Sequence, residues 1–372
     1  MSLIGAELRR AKLRFSLLAG AVGLLVFLIL FQQALLGGLI TQFIGAVRNQ
    51  SAPVLVYAEE ARGNLESSRV PPPLVERVAA VDGVARAEPL GEGTFTVRVD
   101  GELADASLWG YPLDGPGAPT ALAEGRLPTA DDEAVVSTGD EEEGFDLGAT
   151  IVVEPGGSPI EVVGTADESK FSGNPVLYVS SATYEAARRT ANPDATVVLP
   201  SAVAVEVSDG ASPTAVAERI SAEVDGVTAY TRDAAADASP GVSAVQQSFF
   251  VILGLFYIVV PLVVGLFFLI ITLQKANALT LLRALGAKPA QLVRNLLVQV
   301  VLVVVGGVAI ATLLLWGASQ GTRSIGVSVE AGPVLLTGAV VLGLALLASV
   351  AAARRVLAID PIRATTGTDV TS

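Results

Sequence analysis

Between Phe15 and Ile44 the chain runs for 30 residues without a charged side chain, and nearly all of them are apolar. About 20 such residues in a helix cross the hydrocarbon core of a bilayer. Three more blocks follow: Phe249–Leu273, interrupted by Pro261, then Leu296–Trp316 and Pro333–Ala353. Each is long enough to span, and the first two leave extra length to tilt or to project beyond the membrane. A cleaved leader would have a much shorter apolar core closed by a small-x-small site, so the first block is read as a retained anchor.

The cations orient these spans. Arg9, Arg10, Lys12 and Arg14 precede the first; Lys275, Arg283, Lys288 and Arg294 lie between the second and third; Arg354, Arg355 and Arg363 follow the fourth. Outside residues 48–245 only Arg323 falls on the other side, so eleven of twelve cations share one face, which the positive-inside rule makes cytoplasmic. Both termini are expected inside, in a bacterial inner or plasma membrane, and residues 48–245 outside the cytoplasm. That segment carries 33 Asp and Glu against 12 Arg and Lys, a net charge of −21, within a chain whose total is −13. Such acidity repels phosphate backbones and excludes nucleic acid as a partner. Most of it is expected to be solvated surface that keeps the domain soluble.

The resulting fold class is a membrane protein with four transmembrane α-helices and an extracytoplasmic α+β domain inserted between helices 1 and 2. Along the chain this gives a cytoplasmic amphipathic helix at 1–14, a first span with its stalk at 15–47 and the outer domain at 48–245. A second span at 246–274, a cytoplasmic segment at 275–294 and a third span at 295–317 come next. An external loop at 318–332, a fourth span at 333–353 and a cytoplasmic tail at 354–372 complete the layout. At the start, Ile4, Leu8, Ala11 and Phe15 share one helical stripe opposite Arg9, Arg10, Lys12 and Arg14, the pattern of a helix lying on the inner membrane surface.

Several chemistries are removed by composition. With no cysteine and no histidine, the chain has no disulfides, no thiolate nucleophile and not the commonest general base or metal ligand. No Gly-x-x-x-x-Gly-Lys-(Ser/Thr) phosphate loop occurs, so ATP hydrolysis by that route is not expected of this chain. No charge lies within a span, which argues against a proton path or channel. The run Asp140-Glu141-Glu142-Glu143 lacks the ligand spacing of a calcium loop and is read as a solvated loop. The chain is not read as an enzyme, and no catalytic residue, metal or cofactor is assigned to it.

Within the outer domain, an order of elements recurs. Leu74–Val81 has a helical pattern, followed by Asp82-Gly83-Val84 and a strand-like Thr94–Val99. Later, strand-like Ala202–Val207 and helical Pro213–Val224 lead to Asp225-Gly226-Val227 and Thr228–Thr231. This weak symmetry predicts two βαβ-type units in one α+β domain. Between them Glu133–Ser137, Thr150–Glu154, Ile160–Val163 and Val176–Val179 read as strands of a β-rich insert, with a short helix at Ala182–Arg189.

The segment between the second and third spans reads Leu282-Arg283-Ala284-Leu285-Gly286-Ala287-Lys288-Pro289. A short helix stopped by Gly286 would offer Leu282 and Leu285 to a partner's groove, with Arg283 toward acidic or polar groups and Pro289 opening the next helix. Spacing alone does not separate such a docking element from an ordinary basic loop. The string resembles the second-to-third-helix connection of MacB/FtsX-type ABC transporter permeases, with its leucine-arginine-alanine-(leucine or isoleucine)-glycine-alanine core. Asp360-Pro361-Ile362-Arg363-Ala364 resembles the Asp-Pro tail that ends many of them.

The resemblance implies a separate ABC ATPase subunit that uses ATP and Mg, in an assembly of two permeases and two ATPases. It implies a porter-like α+β core with a β-rich lobe, and long first and second helices that carry motion outward, a mechanotransmission. On this basis Leu282, Arg283, Leu285, Gly286, Ala287, Lys288, Asp360, Pro361 and Arg363 are the expected ATPase-coupling residues. Pro261 is a candidate hinge, or only a fixed bend. Small residues in the spans (Gly20 with Gly23, Gly37 with Gly38, Gly306 with Gly307, Gly338 with Gly343) offer a weak case for a face toward a second copy. Membrane lipids and an extracytoplasmic accessory protein complete the expected partners. The leading function is export of an amphipathic or hydrophobic molecule, with haem-exporter and glycolipid-exporter (DevC-like) branches in view. The alternative is an FtsX-like transmitter that controls a cell-wall hydrolase without transport.

Overall fold

In a computed structural model, residues 12–194, 197–274, 289–321 and 331–357 are described. Helix α1 (Lys12–Arg48) leads to β1 (Val54–Ala58), α2 (Pro72–Ala79), a long β2 (Val84–Val99) and β3 (Glu102–Tyr111). Then come β4 (Leu122–Gly125), β5 (Glu133–Ser137), β6 (Thr150–Val153), β7 (Pro159–Ala166), β8 (Val176–Ser180) and α3 (Ser181–Ala191). Strand β9 (Ala202–Val207), α4 (Pro213–Glu223), β10 (Val227–Thr231) and α5 (Arg232–Ala238) close the outer part; α6 (Val242–Gln274), α7 (Pro289–Gly321) and α8 (Ala331–Leu357) follow. The chain divides into two compact units, one of apolar helices and one spanning Gly37–Gln247 that holds the sheet.

The helical unit contains four helices long and apolar enough to cross a membrane, with spans Phe15–Arg48, Val242–Phe267, Leu297–Ser319 and Ala331–Ala351. Their shared interior is built from branched side chains: Val22, Val26 and Ile29 of α1, Val260 and Val264 of α6, Val300 and Val304 of α7, and Val341 of α8. Leu24, Leu28, Phe250, Leu255, Ile258, Leu313, Leu336 and Leu347 point outward and are exposed. In water each would cost roughly 1.5–3 kcal/mol relative to burial. Against lipid tails that cost disappears, which is why the outer faces stay apolar.

The sheet-bearing unit confirms the internal symmetry. Strand order is β10-β1-β9-β2 across its core, with every neighbouring pair antiparallel. The connections β1-α2-β2 and β9-α4-β10 make this a ferredoxin-like βαββαβ core. Gly83 and Gly226, the glycines of the repeated Asp-Gly-Val strings, both take left-handed backbone (φ +91° and +88°), the turn that ends each helix and aims the next strand. The copies also touch: Arg219 of the second binds Asp82 of the first at 2.8 Å.

Alternation along the core strands feeds two hydrophobic layers. Val54 and Val56 with Val203 and Val205 face α2 and α4, where Val78, Val216 and Ile220 meet them. Leu55, Tyr57, Ala202 and Ala204 face the other way, onto Ile44 and Val47 at the end of α1 and Ala235 and Ala236 of α5.

The insert forms a lobe on the same continuous sheet, in the order β2-β3-β8-β5-β7-β4, with β6 pairing both β2 and β7. Strand β2 belongs to both parts: Val84–Leu90 pairs with β9 and Gly91–Val99 with β3. The expected strand at Thr94–Val99 is therefore only the lobe half of a 16-residue strand. The reading as a solvated loop holds for Glu141–Glu143 but fails at Asp140. Its carboxylate is largely buried and bonded to Lys170 Nζ at 2.5 Å. Among the described residues no group of three or more metal-ligating side chains gathers.

Candidate functional site

Leu282, Arg283, Leu285, Gly286, Ala287, Lys288, Asp360, Pro361 and Arg363 lie outside the described residues, as does the stretch before Lys12. Pro261 is described. It is buried inside α6, and the helix continues through it. Having no N–H, it leaves the carbonyl of Tyr257 without its helical donor.

Tyr257 also anchors a polar ring among three spans. Gln33 Nε2 donates to the Tyr257 hydroxyl at 3.0 Å, Tyr257 and Thr337 hydroxyls lie 3.1 Å apart, and Thr337 Oγ1 donates to Gln33 Oε1 at 3.1 Å. If Tyr257 donates to Thr337, each group gives one hydrogen bond and receives one. The ring ties α1, α6 and α8 through a closed cycle of three hydrogen bonds. Beside it, α1 and α7 cross closely: a Cβ on Gly307 would lie 2.9 Å from Val22 Cγ1, and one on Gly23 would lie 2.9 Å from Ile310 Cγ2. Gly23 is thus used within the chain rather than toward a second copy. Gly20 faces open space.

In the outer unit, the end of α1 is fastened to the loop between β7 and β8. Ala46 N–H donates to Lys170 O at 2.9 Å, while Ser172 and Gly173 N–H donate to Phe43 and Gln42 carbonyls, both at 3.0 Å. Asn49 Nδ2 reaches Glu168 O at 2.6 Å. A Cβ on Gly45 would collide with the Glu168 carbonyl oxygen, so only glycine admits this approach. Glu168 and Ser172 hold left-handed backbone (φ +50° and +53°), unusual for residues with side chains. The Lys170–Asp140 pair, with side chains 8% and 12% exposed, pins the loop to the lobe. Burial pushes the Asp140 carboxyl upward and Lys170 opposes that shift.

A second junction lies where β2 passes from core to lobe. Gly91 and Gly110 are cross-strand partners, and the Tyr184 ring occupies the space above both. Its hydroxyl donates to Glu92 O at 2.8 Å, an oxygen that also receives Ser201 Oγ at 3.0 Å. Glu92 itself is 2% exposed and its side chain accepts from Ser107 Oγ at 3.2 Å. Burial, then the nearby Glu66, raise its pKa to about 7. Sequence reasoning missed all three assemblies. Gln33, Tyr257 and Thr337 were visible as polar residues inside apolar blocks; nothing local marked Gly45 or Tyr184.

Residues 16–223 match the model of the MacB-like periplasmic core domain, and residues 250–361 match that of the FtsX-like permease C-terminal. The chain belongs to the MacB/FtsX-type ABC transporter permeases. The permease is 28% identical over 291 residues to an uncharacterized ABC transporter permease of Mycobacterium tuberculosis, covering 77% of this chain and 76% of that one. A hemin transport system permease protein, HrtB, from Staphylococcus haemolyticus is 21% identical over 373 aligned positions, 99% of both chains. Among solved structures, the periplasmic region of MacB from Actinobacillus actinomycetemcomitans aligns with a TM-score of 0.36 at 14% identity, covering 51% of the permease and 91% of that chain. The extracellular domain of the transporter YknZ gives 0.33 at 17%, covering 49% and 100%. Family membership implies an ATPase partner for the permease, and four apolar helices together with a periplasmic-type domain fit a multi-pass membrane protein.

Proposed function

We propose that the permease couples ATP hydrolysis by a separate ABC ATPase to movement of its extracytoplasmic domain, and so exports an amphipathic or hydrophobic molecule. The observation that carries this reading is the fastening of α1. One helix runs from Lys12 to Arg48, and its last turns are bonded to the 168–173 loop of the lobe through main-chain groups and a glycine contact. A displacement of that helix end must move the loop or break several hydrogen bonds, at roughly 1 kcal/mol each. Eleven basic residues on one side support cytoplasmic termini, where Leu282–Lys288 and Asp360–Arg363 would meet the ATPase. Two copies of each subunit and Mg-ATP in the partner complete the assembly.

Hemin as cargo, the ligand named for the staphylococcal relative, would need Tyr or carboxylate ligands here, because the chain has no His or Cys and only Met1. The FtsX-like reading, a transmitter acting on a cell-wall hydrolase, draws on the same fastening. It is also favoured by the described span interiors, which hold branched apolar side chains and no charged one.

The test is co-expression with the ABC ATPase encoded beside the gene and ATPase assay in nanodiscs. A stable complex is expected, with activity lowered severalfold by Gly286→Leu or Arg283→Glu while membrane insertion persists. No association with the ATPase, or wild-type activity in both variants, would overturn the coupling assignment. Binding of a cell-wall hydrolase without cargo movement would place the permease with the transmitters.

A further inference from the structure

Above the Gly91–Gly110 pair, the core and the lobe enclose a cleft of about 330 Å³. That is within the range of small-molecule sites, roughly 300–1,000 Å³. Pro72 and Val75 of α2, Pro89 of β2, Pro200 and the Tyr184 ring make its apolar walls. Three prolines give a wall with fixed backbone and no N–H donors at those positions. Such a surface is formed in advance and offers little to an extended peptide that pairs through its main chain. It suits a compact apolar body.

The charges on the cleft wall are carboxylates, Glu76 and Glu185. Glu76 projects from α2 and has no ion-pair partner among the described residues, whereas the other carboxylate of the wall, Glu185, is held by Arg189 at 2.8 Å. The free charge at this site is therefore negative, within a domain of net charge −21 that draws cations toward it.

The internal repeat supplies a comparison. Thr214, Ala217 and Glu218 of α4 stand where Pro72, Val75 and Glu76 stand on α2, and they line a groove of their own. That groove is wider and more open, and neither a proline nor any lobe residue lines it. The first copy differs because the insert brings α3 and Tyr184 over it.

We propose that the core–lobe cleft binds a small amphipathic cation, an apolar body bearing a protonated amine, with Glu76 as the counter-charge. The site stands whether the permease exports or signals, and its test needs no ATPase.

The full-length permease in nanodiscs would be titrated with phenylbutylamine and with its neutral analogue phenylbutanol, against empty nanodiscs, by saturation-transfer NMR and calorimetry. The amine is expected to bind more tightly than the alcohol. Glu76→Gln should weaken the amine roughly three- to tenfold and leave the alcohol unchanged. Glu218→Gln, the matching change on the other repeat, should alter neither, and Val75→Trp, which fills the cleft, should abolish both. Equal binding of amine and alcohol, equal effects of Glu76→Gln and Glu218→Gln, or no amine binding beyond empty nanodiscs would overturn the proposal.

Discussion

Glu92 is a carboxyl group buried at the point where one strand passes from core to lobe, and its protonation sets a pH dependence whose sign is fixed. Its folded pKa of about 7 lies above the ordinary 4.5. Between those values the native state keeps a proton that the unfolded chain has released, so stability falls as pH rises through the window, and the full loss is present above about 7. At one pKa unit per roughly 1.4 kcal/mol the ceiling is on the order of 3 kcal/mol. Glu92→Gln is expected to raise the melting temperature at pH 8 and to flatten the profile between 4.5 and 7. The chain has two tryptophans, and in a Trp316→Phe background the fluorescence of buried Trp109 reports this domain alone. Glu133 behaves oppositely: Arg126, then the Thr129 N–H, hold it down to about 2, so its contribution is lost only as pH falls toward that value. Glycines divide just as sharply. Gly45→Val should destabilise the same domain by roughly 1–3 kcal/mol or more, because the added atoms meet main chain that cannot rotate away. Gly20→Ala meets nothing within 4 Å and should be neutral or slightly stabilising, since alanine is the better helix former.

At the scale of elements, the Gln33–Tyr257–Thr337 ring is expected to act as a unit. Hydrogen bonds between helices in membranes are worth about 0.6 kcal/mol on average and rarely more than 1.7. Gln33→Leu should therefore lower thermal stability in nanodiscs modestly, and adding Thr337→Val should cost little more, because the first change has already broken the ring. Full additivity of the two would contradict a closed ring. The spans were legible because a bilayer imposes a single rule on composition, and the two βαβ copies were legible because Asp-Gly turns mark both helix ends. Strand β1 escaped notice: Val54–Ala58 is buried almost throughout, so it lacks the alternation that announces a half-exposed strand. Strand β2 looked shorter than it is because Gly91 and Gly93 interrupt its pattern, and Tyr184, distant in sequence, supplies the missing bulk. The fastening of α1 was invisible for the same reason. It joins residues 42–49 to 168–173 mostly through main-chain atoms, with the Asn49 amide as a side-chain donor, and main-chain atoms carry no signature in side-chain identity.

For the whole molecule, the account holds that ATP hydrolysis inside is felt by the domain outside. A chain without native cysteine allows a single spin label at Glu102→Cys, exposed beside the hairpin turn joining β2 and β3 of the lobe. The most direct measurement is the label-to-label distance distribution in the permease–ATPase complex in nanodiscs, compared between the nucleotide-free, ATP-trapped and ADP-bound states. The expected result is a distribution that shifts with nucleotide and stops shifting in Gly286→Leu. Identical distributions in all three states, while the complex turns over ATP at a wild-type rate, would contradict the account.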